Sequence, residues 1–466
     1  MMENNLRGLW NFKTLFWLLV FIRGYFNAVL PLMDQTEARY AEIARLMVET
    51  QNWVVLNIDY DIPFWAKPPL STWAAALSIL FFGTHAFFVR LPYFLVQLGF
   101  ALGIQKIVLK EKIAPYLASI ILFTLPEFYL HSGVVSTDVF LHLAVVIVMG
   151  SFWQMQVDKN KKKWGYLLFA GLGIGLLSKG PIIVLLTIPP ILLWTLLQKQ
   201  LWTVTKKIPW FTGLLIMLLM ALPWYVAVEK ASPGFLDYFI VGEHFKRFFD
   251  SEWAGDRYGF PKQQPLGIIW LFLICGTLPW GLIAIRYIAK IFNRLQQQPW
   301  TLFLLCWLLW TPFFFTFSKS LIHTYTLPVM LPVALLAIKA WPTVKFKKIT
   351  ITFATGIPLL LFVAQVFGIG KQVIENSTDK FLVPNNTENQ VYAYPKKSYS
   401  SQYYTQGTIK KIDSEQLQKV KSTKEPFYLL VEKRKINQID TFGLKLIKEN
   451  LKKRLYFYPY LPHKVD

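Results

Sequence analysis

Apolar stretches recur along this 466-residue chain near 10–31, 87–108, 113–130, 138–156, 164–178, 181–199, 208–228, 266–290, 299–318, 322–341 and 348–369. Most approach the roughly 20 residues that a helix needs to cross a bilayer. In hydrocarbon, such a segment satisfies its backbone hydrogen bonds only as a helix or a closed barrel, and segments this long select the helix. The expected class is therefore a polytopic α-helical membrane protein with about eleven spans.

Composition agrees. Hydrophobic residues make up 54% of the chain and charged residues only 16%, against roughly 25% charged in a soluble domain. A net charge of +22 would suit nucleic acid, but the lysines and arginines fall mainly in short loops and in the tail. These loops are "KEK" (110–112), "DKNKKK" (158–163), "KQLWTVTKK" (199–207), "RYIAKIFNR" (286–294) and "KAWPTVKFKK" (339–348). That clustering is the orientation signal of a membrane protein, so no nucleic-acid partner is expected. Placing every basic loop in the cytoplasm puts the N-terminus inside and the tail outside. Segment 69–83 then has to be interfacial or re-entrant, because a full crossing there would invert the bias. The first apolar segment, Leu9 to Leu32, lacks a small-residue cleavage site and reads as a retained span. Cys275 and Cys306 lie inside apolar runs and imply neither a disulfide framework nor a metal cluster.

This topology gathers the isolated acids, histidines and cations in the outer loops 32–68, 131–137, 179–180, 229–265 and 319–321 and in the tail. Nucleotide sugars are not normally supplied on that side. A group-transfer enzyme working there needs a donor carried in the lipid, and a polyprenyl phosphate fits that need.

The first outer loop opens "DQTEARYAEIARLMVET". Its apolar residues at helical spacing predict an amphipathic helix on the membrane surface. Asp34 and Glu37 are candidate bases for an acceptor hydroxyl, although Thr36 and Glu37 also suit a helix cap. Arg39 suits a phosphate or a surface salt bridge. Lys67 precedes a Pro-Pro pair that fixes the backbone; it either contacts the donor phosphate or snorkels to the interface. Asp59 and Asp61 are expected to face solvent. In the next loop, Asp138 stands at the mouth of a span with no nearby basic residue in sequence, and capping by Thr137 or Asp138 is the alternative. Lys179, in "SKGP", sits at the outer edge against the orientation bias, which suggests an anionic partner. The loop "PWYVAVEKASPGFLDYFIVGEHFKRFFDSEWAGDRYGFP" brings Glu243, His244 and Arg247 within one helical turn of each other. Arg247 suits phosphate oxygens. A lone Glu-His pair is a weak metal signal, so no cofactor is expected; His244 is the residue a divalent ion would take. Lys319, His323 and Tyr325 follow in "FSKSLIHTYTLP", where a tyrosine is commonly an interface anchor.

In order, "DQTEARYAEIARLM", "FWAKPPLSTW", "FFGTHAFFVRLP", "LLSKGPI", "LPWYVAVE", "PGFLDYFIVGEHFKRF", "GDRYG" and "SKSLIHTYTLP" resemble the lipid-dependent GT-C glycosyltransferases. The group most similar is the lipid A aminoarabinose transferase family, with the dolichyl-phosphate-mannose protein mannosyltransferases as more distant relatives. The resemblance covers about residues 10–345. It implies a GT-C glycosyltransferase fold with about 11–13 transmembrane helices in residues 1–370. A small extracytoplasmic α/β domain then follows in 371–466. It also implies inverting transfer of a sugar from a polyprenyl (undecaprenyl) phosphate to a lipid, glycan or protein acceptor, in the inner membrane with the site on its periplasmic side.

Carried over residue by residue, the resemblance gives the acidic motif to Asp34–Glu37 with Arg39, and its lysine to Lys67. It gives the second-loop aspartate to Asp138, the Glu-His-Arg set to Glu243, His244 and Arg247, and the tyrosine to Tyr325. In the implied mechanism Asp34 or Glu37 is the base, and Arg39, Lys67 and Arg247 stabilise the departing phosphate. Asp138 and His244 position the sugar or the attacking group, with Lys179 beside the donor. Two departures are visible. Thr36-Glu37 replaces an Asp-Glu pair, and Ala66 replaces a glutamate that would partner the histidine on a metal. Both point away from a metal site and from aminoarabinose as the sugar. The rival classes are a transporter or flippase of lipid-linked sugars and a non-catalytic lipid-binding subunit; the lack of an inverted repeat argues against the first. In the tail, "QVYAYP", "FYLLVEK" and "RLYFYPY" read as strands and "SEQLQKVKS" as a helix.

Overall fold

The computed structural model describes residues 11–111, 113–158, 161–246, 255, 257–258, 263–384 and 387–459. Six helices in it are long and apolar enough to cross a membrane: Phe12–Val29, Ala86–Ile107, Thr137–Val157, Trp210–Ala231, His323–Thr343 and Lys347–Val366. Leu70–Phe82, Ile182–Leu197 and Pro299–Phe315 are shorter apolar helices. At 13 residues, Leu70–Phe82 is too short to span alone, in keeping with the interfacial or re-entrant reading.

Helix starts follow local chemistry. The Asn11 side chain accepts from the backbone N–H groups of Lys13 and Thr14, and Ser136 Oγ accepts from Asp138 N–H at 3.0 Å. Ser136 is thus the cap that the sequence suggested Thr137 or Asp138 would provide, which leaves the Asp138 carboxylate free for other work. Two expected spans are broken, both at prolines. The 266–290 stretch divides into Ile268–Thr277 and a second rod from Trp280, bent by 104°. Leu278, before Pro279, is extended (φ −62°, ψ 143°), as steric conflict with the proline ring demands. Likewise 113–130 divides into Leu117–Phe123 and Pro126–Leu130 across an extended Leu125 (φ −62°, ψ 121°). Apolarity alone reads through such breaks.

The middle of the bundle holds Thr137–Val157 and His323–Thr343, whose apolar windows are 67% and 89% buried. By contrast Trp210–Ala231 and Lys347–Val366 turn most of their apolar surface outward, with Phe211, Leu219, Phe353 and Leu360 all exposed. Exposed apolar surface on that scale needs lipid as its solvent. This is a multi-pass membrane protein.

Thr36–Thr50 is a helix, as its spacing predicts, but it does not lie open on a surface. Ala38, Ala41 and Ala44 are fully buried, and their small side chains let Leu70–Phe82 and the tail helix Tyr399–Tyr404 pack close. Beyond it, β1 (Asn57–Asp59) and β2 (Ile62–Pro63) form a short antiparallel hairpin. The tail sheet comprises β3 (Gln390–Tyr394), β4 (Lys410–Lys411), β5 (Phe427–Glu432), β6 (Lys445–Glu449) and β7 (Lys453–Tyr458), in the order β4-β3-β5-β7-β6. β3 runs parallel to β4 and β5, and β7 antiparallel to β5 and β6. Helix Ser414–Ser422 starts with an Asp413/Gln416 capping box. β3, β5, β7 and the helix fall where the alternation of the tail indicated, whereas the edge strands β4 and β6 were not anticipated.

Several bonds hook the tail onto the first loop and onto the turn after Leu70–Phe82. Asp34 N–H donates to Ser377 O (2.9 Å), Leu32 N–H to the Tyr404 hydroxyl (2.7 Å), and Tyr403 Oη–H to Thr84 O (2.6 Å). Lys397 lies 2.6 Å from Asp59, so Asp59 is ion-paired rather than turned to solvent as expected; Asp61 is exposed.

Candidate active site

Two adjoining cavities of about 110 and 80 Å³ lie at one end of the bundle and share Lys67, Asp138, Lys179 and Tyr325 in their walls. The larger adds Glu243, His244, Ser318 and Ser320, with an apolar side made by Leu141, Ile182, Leu186, Phe315 and Pro328. The smaller adds Gln35, Thr36, Arg39, Tyr40, Phe64 and Tyr258. Residues from five separate stretches of sequence therefore meet here.

Two ion pairs organise the space. Lys179 Nζ donates to Asp138 Oδ1 at 2.5 Å, and Lys67 Nζ to Glu243 Oε2 at 3.0 Å. Both pairs are largely withdrawn from water. A charge at a buried site is sustained only by a close partner and further hydrogen bonds. Asp138 takes its further bond from Ser136 Oγ–H at 3.0 Å; Lys67 gives one to Ala66 O at 2.5 Å. Lys179 also stands 4.3 Å from the centre of the Tyr325 ring, whose face attracts a cation. Tyr325 is therefore part of the site as well as a residue at an interface position.

Gly180 explains how Lys179 and His244 come together. Its φ of +82° is one that L side chains rarely adopt, and a Cβ there would meet the Phe239 ring at 2.5 Å and the His244 ring at 3.2 Å. Asp237–Lys246 winds with i→i+5 bonding, a form that often marks functional segments. It turns His244 so that Nδ1 lies 2.7 Å from Phe239 O and Nε2 3.2 Å from Lys179 O. Burial pushes the His244 imidazole below its usual pKa. The neutral ring donates one hydrogen bond, and the shorter contact to Phe239 O takes it. Both nitrogens face carbonyls, residue 66 is alanine, and Glu243 is engaged by Lys67. These donors do not fit a metal at His244.

The remaining predicted residues divide. Arg39 reaches the smaller cavity: Nη1 donates to Tyr258 O at 2.7 Å, the guanidinium lies 5.3–5.8 Å from the rings of Tyr40, Phe64 and Tyr399, and its buried Nε has no partner among the described residues. Glu37 lines neither cavity. Its carboxylate accepts two bonds from Arg90, Nε at 2.7 Å and Nη2 at 2.6 Å. Asp34 faces a separate cleft of about 820 Å³ between the first loop and the tail. There it accepts from Ser400, through N–H at 2.9 Å and through the hydroxyl. Neither acid is positioned in this structure to reach a hydroxyl in the shared cavity. Arg247 lies outside the described residues.

Sequence reading missed Arg90, Ser318 and Ser320. The serines stand in "SKSLIHTYTLP", where Lys319, His323 and Tyr325 drew the reading instead. Arg90 was hidden inside a span, where a buried arginine needs a partner that sequence distance conceals. It serves Glu37 and also donates to Asn27 O (2.9 Å), Leu30 O (2.6 Å) and Pro31 O (2.9 Å). It thus ties the end of the first span to the loop that carries Arg39.

Crystal structures of ArnT from Cupriavidus metallidurans superpose with a TM-score of 0.73 when bound to undecaprenyl phosphate and 0.70 in the apo state. The matches cover 96% and 98% of this chain and 97% and 98% of theirs, at 16% and 17% identity. The fold is thus the GT-C membrane fold with a small C-terminal sheet domain. Undecaprenyl phosphate-alpha-4-amino-4-deoxy-L-arabinose arabinosyl transferases are similar in sequence. The protein from Enterobacter sp. (strain 638) is 29% identical over 311 residues, 66% of this chain and 54% of the relative. That from Aeromonas hydrophila is 30% identical over 316 residues, 66% and 55% of the two chains. The chain spans about half the length of the curated relatives it matches. A family model described as dolichyl-phosphate-mannose-protein mannosyltransferase matches residues 6–239, half of the sequence, and the chain belongs to that family.

Proposed function

We propose that this protein is an integral membrane glycosyltransferase. It moves a sugar from a polyprenyl phosphate, undecaprenyl phosphate in particular, to an acceptor hydroxyl or phosphate on a lipid such as lipid A, a glycan or a protein. The carrying observation is the pair of lysine–carboxylate contacts, Lys179–Asp138 and Lys67–Glu243, facing one small cavity with an apolar side. The family and the relatives' lipid-linked donors support the same reading. The alternation of basic loops supports an extracytoplasmic site in the plasma membrane.

In this reading the donor phosphate lies against Lys67, Lys179 and Arg39, and the lipid leaves along the apolar side. The acceptor oxygen attacks the anomeric carbon opposite the phosphate. The new C–O bond forms as the bond to phosphate oxygen breaks, so the anomeric centre inverts. Negative charge building on the departing phosphate is what the lysines and Arg39 stabilise. A hydroxyl acceptor must also lose its proton, and Asp138 is the carboxylate common to both cavities. As Lys179 turns to the phosphate, Asp138 becomes the base. Tyr325 and His244 hold Lys179 and its turn in place. Asp34 and Glu37 serve by fixing the loop that carries Arg39.

The test is turnover by purified protein in sealed proteoliposomes with undecaprenyl-phosphate-linked sugars and lipid, oligosaccharide and peptide acceptors, read by mass spectrometry. The expected result is a new glycosidic product together with free undecaprenyl phosphate, lost in Asp138→Asn. Sugar crossing a bilayer without a new bond would establish a transporter instead. Equal product from wild type and Asp138→Asn would remove Asp138 as the base.

A further inference from the structure

A second cluster of metal-type ligands lies apart from the two ion pairs. Pro126 at the first helical position starts a short helix, Pro126–Leu130, that brings Glu127 and His131, four residues apart, to one face. The chain then returns almost two hundred residues later with His323, the first residue of the turn His323–Val329. One donor atom from each of Glu127, His131 and His323 lies within 4.8 Å of the other two. His131 Nδ1 is 3.1 Å from Glu127 Oε1, and His323 Nδ1 is 3.1 and 3.0 Å from the two carboxylate oxygens. His131 Nδ1 is also 2.9 Å from the main-chain oxygen of Glu127, a bond that a cation at this nitrogen has to displace, while its contact to the Glu127 carboxylate is already in place. The two imidazole rings are 5.4 Å apart.

From these contacts the geometry points to a divalent-cation site of the zinc class at Glu127, His131 and His323. Four ligands about 2.0–2.1 Å from a tetrahedral ion stand about 3.3 Å from one another, close to the two histidine–carboxylate separations observed, with the two histidine donors within 4.8 Å of each other. Two nitrogens and one carboxylate oxygen suit zinc or a neighbouring transition metal, whereas calcium and magnesium prefer all-oxygen sets. Glu127 and His131 are buried while the His323 side chain is 47% exposed, so the site is dry behind and open in front. A fourth position is left there for water. A cation entering displaces the protons that the imidazoles otherwise share with the carboxylate.

The site is independent of the proposed glycosyl transfer, but it adjoins that machinery. His323 stands two residues before Tyr325 and three after Ser320, both in the wall of the larger cavity. A cation held there clamps the 318–328 segment to helix Pro126–Leu130. It is distinct from His244, whose surroundings do not fit a metal.

The experiment uses the full chain in detergent, stripped with chelator and titrated with Zn²⁺ against a chromophoric competitor, with Co²⁺ absorption as a second readout. One equivalent is expected to bind. His323→Ala changes a half-exposed side chain and spares the core. It is expected to weaken binding by at least about tenfold, the loss typical of even a supporting group at a metal site. His131→Ala and Glu127→Gln should do the same, and His244→Ala should leave binding unchanged. Zn²⁺ should raise the Tm of wild type and not of His323→Ala. Wild-type binding no tighter than that of the variant combining Glu127→Gln, His131→Ala and His323→Ala, full binding by His323→Ala, or loss on His244→Ala would each overturn the site.

Discussion

Ser400 donates its backbone N–H, at 2.9 Å, and its hydroxyl to the carboxylate of Asp34, joining positions 366 residues apart. The tail is thereby fastened to the loop that carries Arg39. Burial, with the Asp379 charge nearby, raises the Asp34 pKa, and the Ser400 bonds pull against that rise. The folded protein therefore keeps this proton to higher pH than the unfolded chain. The Asp34 contribution to stability is largest at low pH and declines as pH climbs from the ordinary aspartate value near 4 through the raised folded value. Asp34→Asn, which still accepts from Ser400, is expected to flatten that decline. Asp34→Ala should cost about 1–3 kcal/mol, because it orphans the Ser400 donors. Thermal unfolding in detergent from about pH 4 to 7 measures both.

Removing one partner of the Asp138–Lys179 pair has separable effects on activity and stability. Asp138→Asn should cut turnover by about 10²–10⁴-fold, the usual contribution of a positioned general base. Lys179→Met leaves a carboxylate unpaired and should cost about 3–5 kcal/mol; the double variant Asp138→Leu/Lys179→Met should regain most of that while staying inactive. Sugar-transfer rates and Tm values on the same preparations tell these apart. A double variant as unstable as the single one would refute the charge argument.

Substitution at Gly180 tests the turn. With φ at +82° and two rings in the way, Gly180→Ala carries about 1–2 kcal/mol of backbone strain before any clash. The turn and the Phe239 and His244 rings must move, and Lys179 moves with them. The expected outcome is a Tm drop of a few degrees with a larger fall in transfer rate.

Arg90 should prove as sensitive as any residue in the cavity without touching it. Arg90→Met strands the Glu37 carboxylate, an expected loss of about 3–5 kcal/mol. Arg90→Lys should rescue little, since an ammonium cannot span Glu37 and three carbonyls as the guanidinium fork does. Limited proteolysis of the first loop, with Tm, reports the release.

Much of the candidate site was legible because chemistry that conflicts with lipid stands out in a hydrophobic chain. Lys67, Asp138, Lys179, Glu243, His244 and Tyr325 were conspicuous in segments that otherwise favour hydrocarbon, and the structure brings them together. What sequence could not supply was partnership. Asp34 and Glu37 looked like exposed acids beside the membrane, yet their partners Ser400 and Arg90 lie 366 and 53 positions away. The breaks at Leu125 and Leu278 were equally hidden, since hydropathy averages over a proline that the backbone cannot ignore. The Glu127, His131 and His323 grouping left only a Glu-x-x-x-His trace, too common to notice.

The two cavity lysines begin with a carboxylate each, and that has a bearing on how a carrier lets go. In the proposed reaction an incoming phosphate offers them an exchange of anions, with little net attraction gained. In that same reaction Glu243, and Asp138 once it has passed on the proton taken from the acceptor, stay tethered within reach of their lysines as the spent lipid leaves. Built-in competitors of this kind keep an enzyme from being stalled by its own leaving group.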